Sequence, residues 1–172
     1  MTTENKETSS SPEGSLLGTA LGRAVLALLR GAGLLIGLRG DSKETKRIGD
    51  LDDGGVSVGL SAENGKPLHA ALADEREYLT FDEAFEAAAK MRKQPGRENA
   101  HVPTPEELNV NLYLNKDKGA LSGTFNTSGS FPAGCYCSSE PLGNDYARVQ
   151  WFGDGSQFNV LRELWLPVRL VW

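Results

Sequence analysis

Residues 80–113 read TFDEAFEAAAKMRKQPGRENAHVPTPEELNVNLY, two helix starts separated by a Pro-Gly break. Thr80 is a natural N-cap, and Glu83 three residues on completes a capping box. Phe81, Ala84, Phe85, Ala88 and Ala89 recur at three and four, which predicts one apolar helix face. Pro95-Gly96 should end this helix near Gln94. In the second start Thr104 caps, Pro105 takes the first helical position and Glu107 closes the box. Leu108, Leu112 and Tyr113 are expected to carry its buried side.

On both sides of this pair the text changes to turns and short strands. Upstream, Asp53-Gly54-Gly55 and Asn64-Gly65 punctuate a hairpin in which Val56 and Val58 alternate. Downstream of Gly119 come the expected strands Cys135–Ser139, Ala147–Phe152, Gly155–Val160 and Leu166–Val171. A strand running to Trp172 should be paired inside the sheet. Two helices among short strands make an α+β domain with a mainly antiparallel sheet. Nine of the thirteen aromatics, all three Trp among them, lie between Phe125 and Trp172. Loops between strands at one sheet edge can present side chains together.

Ahead of this domain, assigned to 48–172, the composition shifts twice. Residues 1–15 (MTTENKETSSSPEGS) have no apolar residue after Met1 and are expected to be disordered. Residues 16–47 hold the apolar run LLGTALGRAVLALLRGAGLLIGLRG and the charged connector DSKETKR. Arg23 and Arg30 interrupt the run and five glycines from Gly18 to Gly37 lower its helix propensity, so packing against the domain or a partner subunit is favoured. Membrane contact through 16–38 is an alternative that is not favoured, given the cost of each Arg in a bilayer. No secretory signal is read, which favours the cytoplasm or a phage particle.

The whole chain of 172 residues carries a net charge of −5 without a Lys/Arg stripe, so nucleic acid is a poor partner. Two His and two Cys in distant pairs do not make a structural zinc module. Collagen, coiled-coil and disulfide-scaffold classes are excluded by composition. Cys135 and Cys137 alternate on a strand and read as unpaired thiols, since a bridge or metal pair needs further partners. His101 reads as a structural hydrogen-bonding residue and His69 as solvent-facing. Asp50, Asp52 and Asp53 read as a solvated turn rather than a calcium cage. No metal or cofactor is expected.

The ordered set TFDEAFEAAAKM, HVPTPEELNVNLY, GTFN, PAGCYCSSE, ARVQWFGDGSQ and LPVRLV resembles a bacterial and phage domain family of C-type-lectin fold. Its members include the C-terminal domain of a bacterial collagen-like adhesin and variable proteins diversified by retroelements. The lead-in IGD…DGGVSVGLSAENGKPLHA is similar to that of the retroelement subset. The resemblance covers about 48–172, nearly three quarters of the chain. It departs at Cys137, where the family usually has Trp, and at His101-Val102-Pro103-Thr104, where it has Arg-Leu-Pro-Thr. No Glu-Pro-Asn calcium-lectin triplet occurs, because Glu140-Pro141 is followed by Leu142.

The resemblance implies a stable scaffold with a diversified surface at about 129–165, reached by miscopying adenines in Asn codons. It assigns the scaffold to Ser138, Ser139, Ala147, Val149, Phe152, Gly155, Pro167, Arg169 and Val171. It assigns display to Cys135, Cys137, Leu142, Asn144, Asp145, Tyr146, Asp154, Ser156, Phe158, Asn159, Val160 and Leu161. Trp151 and Trp165 cannot arise from AAC or AAT by adenine changes alone. They join as aromatic contact candidates, because Tyr and Trp give large rigid contact area at small entropy loss. The function implied is non-enzymatic binding of a macromolecule, either protein or surface glycan. Two alternatives stand beside it: an enzyme related to formylglycine-generating proteins and using Cys135 and Cys137, or an oligomeric structural protein assembled through 16–38.

Overall fold

The computed structural model describes residues 46–52 and 54–172. The expectations for the tail, the apolar run, membrane contact through 16–38 and Asp53 fall outside the described residues. Among the described residues no helix is long and apolar enough to cross a membrane.

Among the described residues the fold is mixed α and β, with two short helices, a separate 3-10 turn at Gly119–Leu121 and two antiparallel three-stranded sheets. The first sheet comprises β1 (Leu51–Asp52), β2 (Gly55–Leu60) and β3 (Pro67–Ala70), in that order. Gly65 makes the β2–β3 turn at φ 69°, a left-handed conformation that glycine adopts without a Cβ clash. Val56 and Val58 are buried, and so is Ser57 between them, so β2 has interior on both faces.

Helix α1 (Phe81–Met91) begins as its sequence requires. The Thr80 hydroxyl accepts the Glu83 N–H at 3.4 Å and the Glu83 carboxylate accepts the Thr80 N–H at 2.8 Å. The buried stripe is Phe81, Ala84, Ala88 and Met91. Phe85 and Ala89 are exposed, a correction to the expected face. Periodicity sets the width of a stripe, but neighbouring elements decide which of its edges is covered.

The second helical element also has its capping box: Thr104 and Glu107 exchange backbone-to-side-chain hydrogen bonds, both at 3.2 Å. It then widens into a π-helical turn, Glu107–Leu112, followed by a 3-10 turn, Tyr113–Asn115. The wide turn buries Glu107, Leu108, Asn111 and Leu112, while Tyr113 is half-buried.

The second sheet comprises β4 (Cys135–Leu142), β5 (Tyr146–Trp151) and β6 (Gln157–Leu161). β5 lies between its partners, and β4 bulges between Cys137 and Pro141. One core cluster joins the α1 stripe to Cys135, Cys137, Ala147, Val149 and Val160. A second joins β2 and the π-helical element to Tyr136 and Phe152.

Segment 166–172 is not the continuous strand expected; it ties the pieces together by isolated bridges at Leu79–Leu166, Ala70–Val171 and His101–Val171. Pro167 has no N–H to donate to a ladder. Its carbonyl instead accepts the Cys137 N–H at 3.2 Å, and Trp172 exchanges both backbone bonds with His69. His69 is a second correction: it is half-buried, stacks on Trp172 with centroids 6.1 Å apart and meets Asp52 at 3.3 Å.

Candidate functional site

Three buried polar clusters hold the frame: the first reaches β4 through Tyr136, and the other two join the second helical element to the end of β2. Arg169 is fully buried; its Nε donates to Asp74 at 2.7 Å, and its Nη atoms donate to the Ala71 and Thr124 carbonyls at 3.0 and 2.7 Å. The guanidinium also lies over the Phe125 ring, 4.1 Å from its centroid. Tyr136 donates its hydroxyl proton to Asp74 at 2.9 Å and accepts the Asn126 N–H at 2.9 Å. Burial, then the nearby Asp74 charge, push the Tyr136 phenol up, so it stays a proton donor.

In the second cluster the fully buried Glu107 accepts from Ser61 at 2.6 Å and from His101 at 2.9 Å. Both His101 nitrogens face acceptors, Glu107 and the Asn99 carbonyl at 2.7 Å. The Glu107 hydrogen bond raises His101 above its ordinary value of 6.5 against the opposing effect of burial. For Glu107, burial alone would raise the carboxyl; hydrogen bonds from His101, Ser61 and Thr104 overcome it and leave the carboxyl lowered. In the third cluster Asn111 donates to the Val58 and Leu60 carbonyls at 2.9 and 2.7 Å and accepts the Ala62 N–H at 3.0 Å. Sequence reasoning found the Thr104–Glu107 box but neither the burial of Glu107 nor the partners of Asn111, which lie some fifty residues away.

On this frame the side chains of β5 alternate strictly. Ala147 and Val149 point into the α1 core, while Tyr146, Arg148 and Gln150 point the other way. Register then fixes the neighbours: Leu161 lies opposite Tyr146, Asn159 opposite Arg148, and Gln157 opposite Gln150. Gln150 is sealed beneath the π-helical element by a bond to Asn109 at 2.8 Å. Toward the other end this face opens, and Tyr146, Asn159 and Leu161 are exposed.

At the open end lies a cleft of about 480 Å³ lined by Thr80, Asp82, Asn144, Asp145, Leu161, Arg162 and Glu163. Arg162 organises it. Its guanidinium pairs with Asp82 and donates to the Asn144 carbonyl at 3.3 Å. Its backbone N–H donates to the Asp145 carbonyl at 2.8 Å, and its carbonyl accepts the Phe81 N–H at 3.0 Å. The β4–β5 turn is thereby fastened to the start of α1. A smaller cleft of about 290 Å³ along α1, lined by Glu75, Glu86 and Lys90 among others, holds none of the display candidates.

The structure divides the display candidates. Asn144, Asp145 and Leu161 line the cleft, with Tyr146 paired to Leu161, half-buried Leu142 opposite Tyr146 and exposed Asn159 next along the face. Trp165 is 65% exposed beside the Leu79–Leu166 bridge. Asp154 and Ser156 are exposed on the β5–β6 turn, at the far end of a strand about 17 Å long. Phe158, 36% exposed, points to the opposite face with Val149, and Trp151 is half-buried on that same side.

Three display assignments are corrected. Cys135, Cys137 and Val160 are interior, because their registers, Cys135–Trp151, Cys137–Val149 and Val160–Ala147, put them on the core face. Burial pushes both thiols up to about 12, and both are free. Of the residues given to the scaffold, Ser138, Ala147, Val149, Phe152, Arg169 and Val171 are buried. Gly155 is also a packing position, where a Cβ would come within 2.5 Å of the Tyr113 ring.

Among the described residues no group of three or more His, Cys, Asp or Glu could hold a metal ion. No protein-family model and no curated protein sequence matches the chain.

Proposed function

We propose that the chain is a non-enzymatic recognition protein of C-type-lectin fold whose C-terminal third carries a diversified surface, as the sequence resemblance implies. The ligand is a macromolecule, either protein or surface glycan. One observation carries the reading. On the second sheet Cys135, Cys137, Ala147, Val149 and Val160 of one parity are packed into the α1 core, while at the open end the other parity exposes Tyr146, Asn159 and Leu161 beside a cleft. Recognition by such a surface works through preorganisation: the three buried polar clusters and the Arg162 fastening hold the backbone, so little ordering entropy is lost on binding. The enzyme alternative is weakened because both thiols are buried and protonated at neutral pH, which leaves no thiolate nucleophile.

The test is genetic. Sequencing the coding locus in related isolates should show an adenine-rich near-copy of the segment for 129–172 beside a reverse-transcriptase gene. Substitutions should concentrate at Asn144, Asp145, Tyr146, Asn159 and Leu161 and spare Ala147, Val149 and Arg169. Substitutions spread evenly over exposed residues of the whole domain, with no near-copy, would defeat the proposal.

A further inference from the structure

Strand β6 is the outer strand of its sheet, and hydrogen-bond parity identifies its free groups. The Arg162 N–H bonds the Asp145 carbonyl and the Trp151 N–H bonds the Ser156 carbonyl. With the observed register, the bonded positions of the β5–β6 ladder are therefore 145/162, 147/160, 149/158 and 151/156. Phe158 and Val160 turn their backbone groups toward β5. Gln157, Asn159 and Leu161 turn theirs outward, and all three residues are exposed; of these groups the Leu161 carbonyl already accepts the Leu164 N–H at 3.1 Å. Among the described residues no strand pairs with that edge.

Protein sheets usually guard such an edge with Lys, Pro, inward charge or a bulge. The β6 sequence, QFNVL, has no charge and no Pro, and its register with β5 is unbroken. A neutral edge is what a two-fold contact requires, since the symmetry sets like against like and would oppose any charge near the axis to itself. We propose that β6 pairs antiparallel with β6 of a second copy of this chain, about a two-fold axis through Asn159. Asn159 then exchanges both backbone bonds with its own counterpart, and Gln157 pairs with the second copy's Leu161, whose carbonyl uses its second lone pair for the Gln157 N–H beside its bond from Leu164. On the core side Phe158 packs against the second copy's Val160, an aromatic with β-branched pair that covers apolar surface now open. The axis stands perpendicular to the joined six-stranded sheet, so both Tyr146–Leu161 faces look the same way and the assembly is bivalent. This pairing does not depend on what the faces bind. A five-residue strand is a small interface, so the dimer is in concentration-dependent equilibrium.

The experiment uses the full chain from roughly 10 µM to 1 mM, a range suited to a small interface. Sedimentation equilibrium should show the mass doubling across this range. Residue-resolved amide exchange should show Gln157, Asn159 and Leu161 gaining protection with concentration, while Phe158 and Val160 stay protected throughout. Asn159→Pro removes only an outward N–H, the edge position that Pro tolerates, and should weaken the dimer about tenfold or more with β5 pairing intact. Asn159→Lys opposes two ammonium groups at the axis and should also weaken it, with partial recovery in high salt that the proline variant lacks. A chain monomeric at 1 mM would overturn the proposal. So would a dimer in which those three amides stay unprotected, because the contact then lies elsewhere. Protection of the three amides in the monomer would overturn it as well, because the edge is then covered by the chain itself.

Discussion

Replacing Asp74 with alanine removes the one carboxylate among the described residues that pairs with the buried Arg169 guanidinium, and the acceptor of the Tyr136 hydroxyl. Arg169 is fully buried, and its remaining partners are carbonyls and the Thr124 hydroxyl, none of which neutralises it. Breaking a buried ion pair by deleting one member costs about 3–5 kcal/mol. The Asp74 side chain keeps 24% exposure, so water replaces part of what is lost, and the low end, about 3 kcal/mol, is expected. For a domain of this size that lowers Tm by about 10 °C. Differential scanning calorimetry and urea titration measure it, with Asp145→Ala as an exposed-carboxylate control expected to stay within about 0.5 kcal/mol of wild type. The double variant Asp74→Ala/Arg169→Met should lose less than the sum of the singles, because the second change removes the charge stranded by the first. If Asp74→Ala melts within about 2 °C of wild type, the reasoning that this clamp sustains the frame is wrong.

Three further outcomes follow from the same geometry. His101 is raised above 6.5, so its contribution to stability is complete below that pH and fades as pH rises through its higher folded value. Glu107 is lowered below 4.5, so its contribution is complete above that pH and fades as pH falls further. Urea titrations across both ranges should show both losses in wild type, and His101→Gln should abolish the alkaline one; an unchanged alkaline slope would refute the pairing. Cys135 and Cys137 should not react with a thiol reagent at pH 8 in the native protein and should both react in urea; fast native labelling would contradict their burial. Thr80→Ala should cost about 1 kcal/mol through loss of the α1 cap, read by chemical denaturation, and no measurable loss would count against the capping box.

What the sequence disclosed and what it hid separate by distance along the chain. The two capping boxes, the Gly54 and Gly65 turns and the α+β class were legible because each depends on residues within one or two turns of chain. The choice of Met91 over Phe85 for the buried stripe was not, since it depends on what packs against α1. The π-helical turn was hidden for a related reason: it serves Asn111 bonds to β2, far off in sequence. Arg169 was assigned to the scaffold through the resemblance, but Asp74, ninety-five residues away, left no local signal. The cysteines show how register limits reading from pattern. Cys135 and Cys137 share a strand parity, but only the pairing of Cys137 with Val149 says that this parity is the interior one. The same pairing logic, had it been available, would have placed Val160 inside with Ala147.

The measurement that bears most directly on the central claim is a library randomised together at Asn144, Asp145, Tyr146, Asn159, Leu161 and Trp165, displayed on yeast and sorted by protease resistance. A frame held by buried clusters predicts that most members resist protease like wild type and that binders to an arbitrary protein or glycan can be selected from them. A library that is mostly degraded, like one randomised at Ala147, Val149 and Cys137, would contradict it.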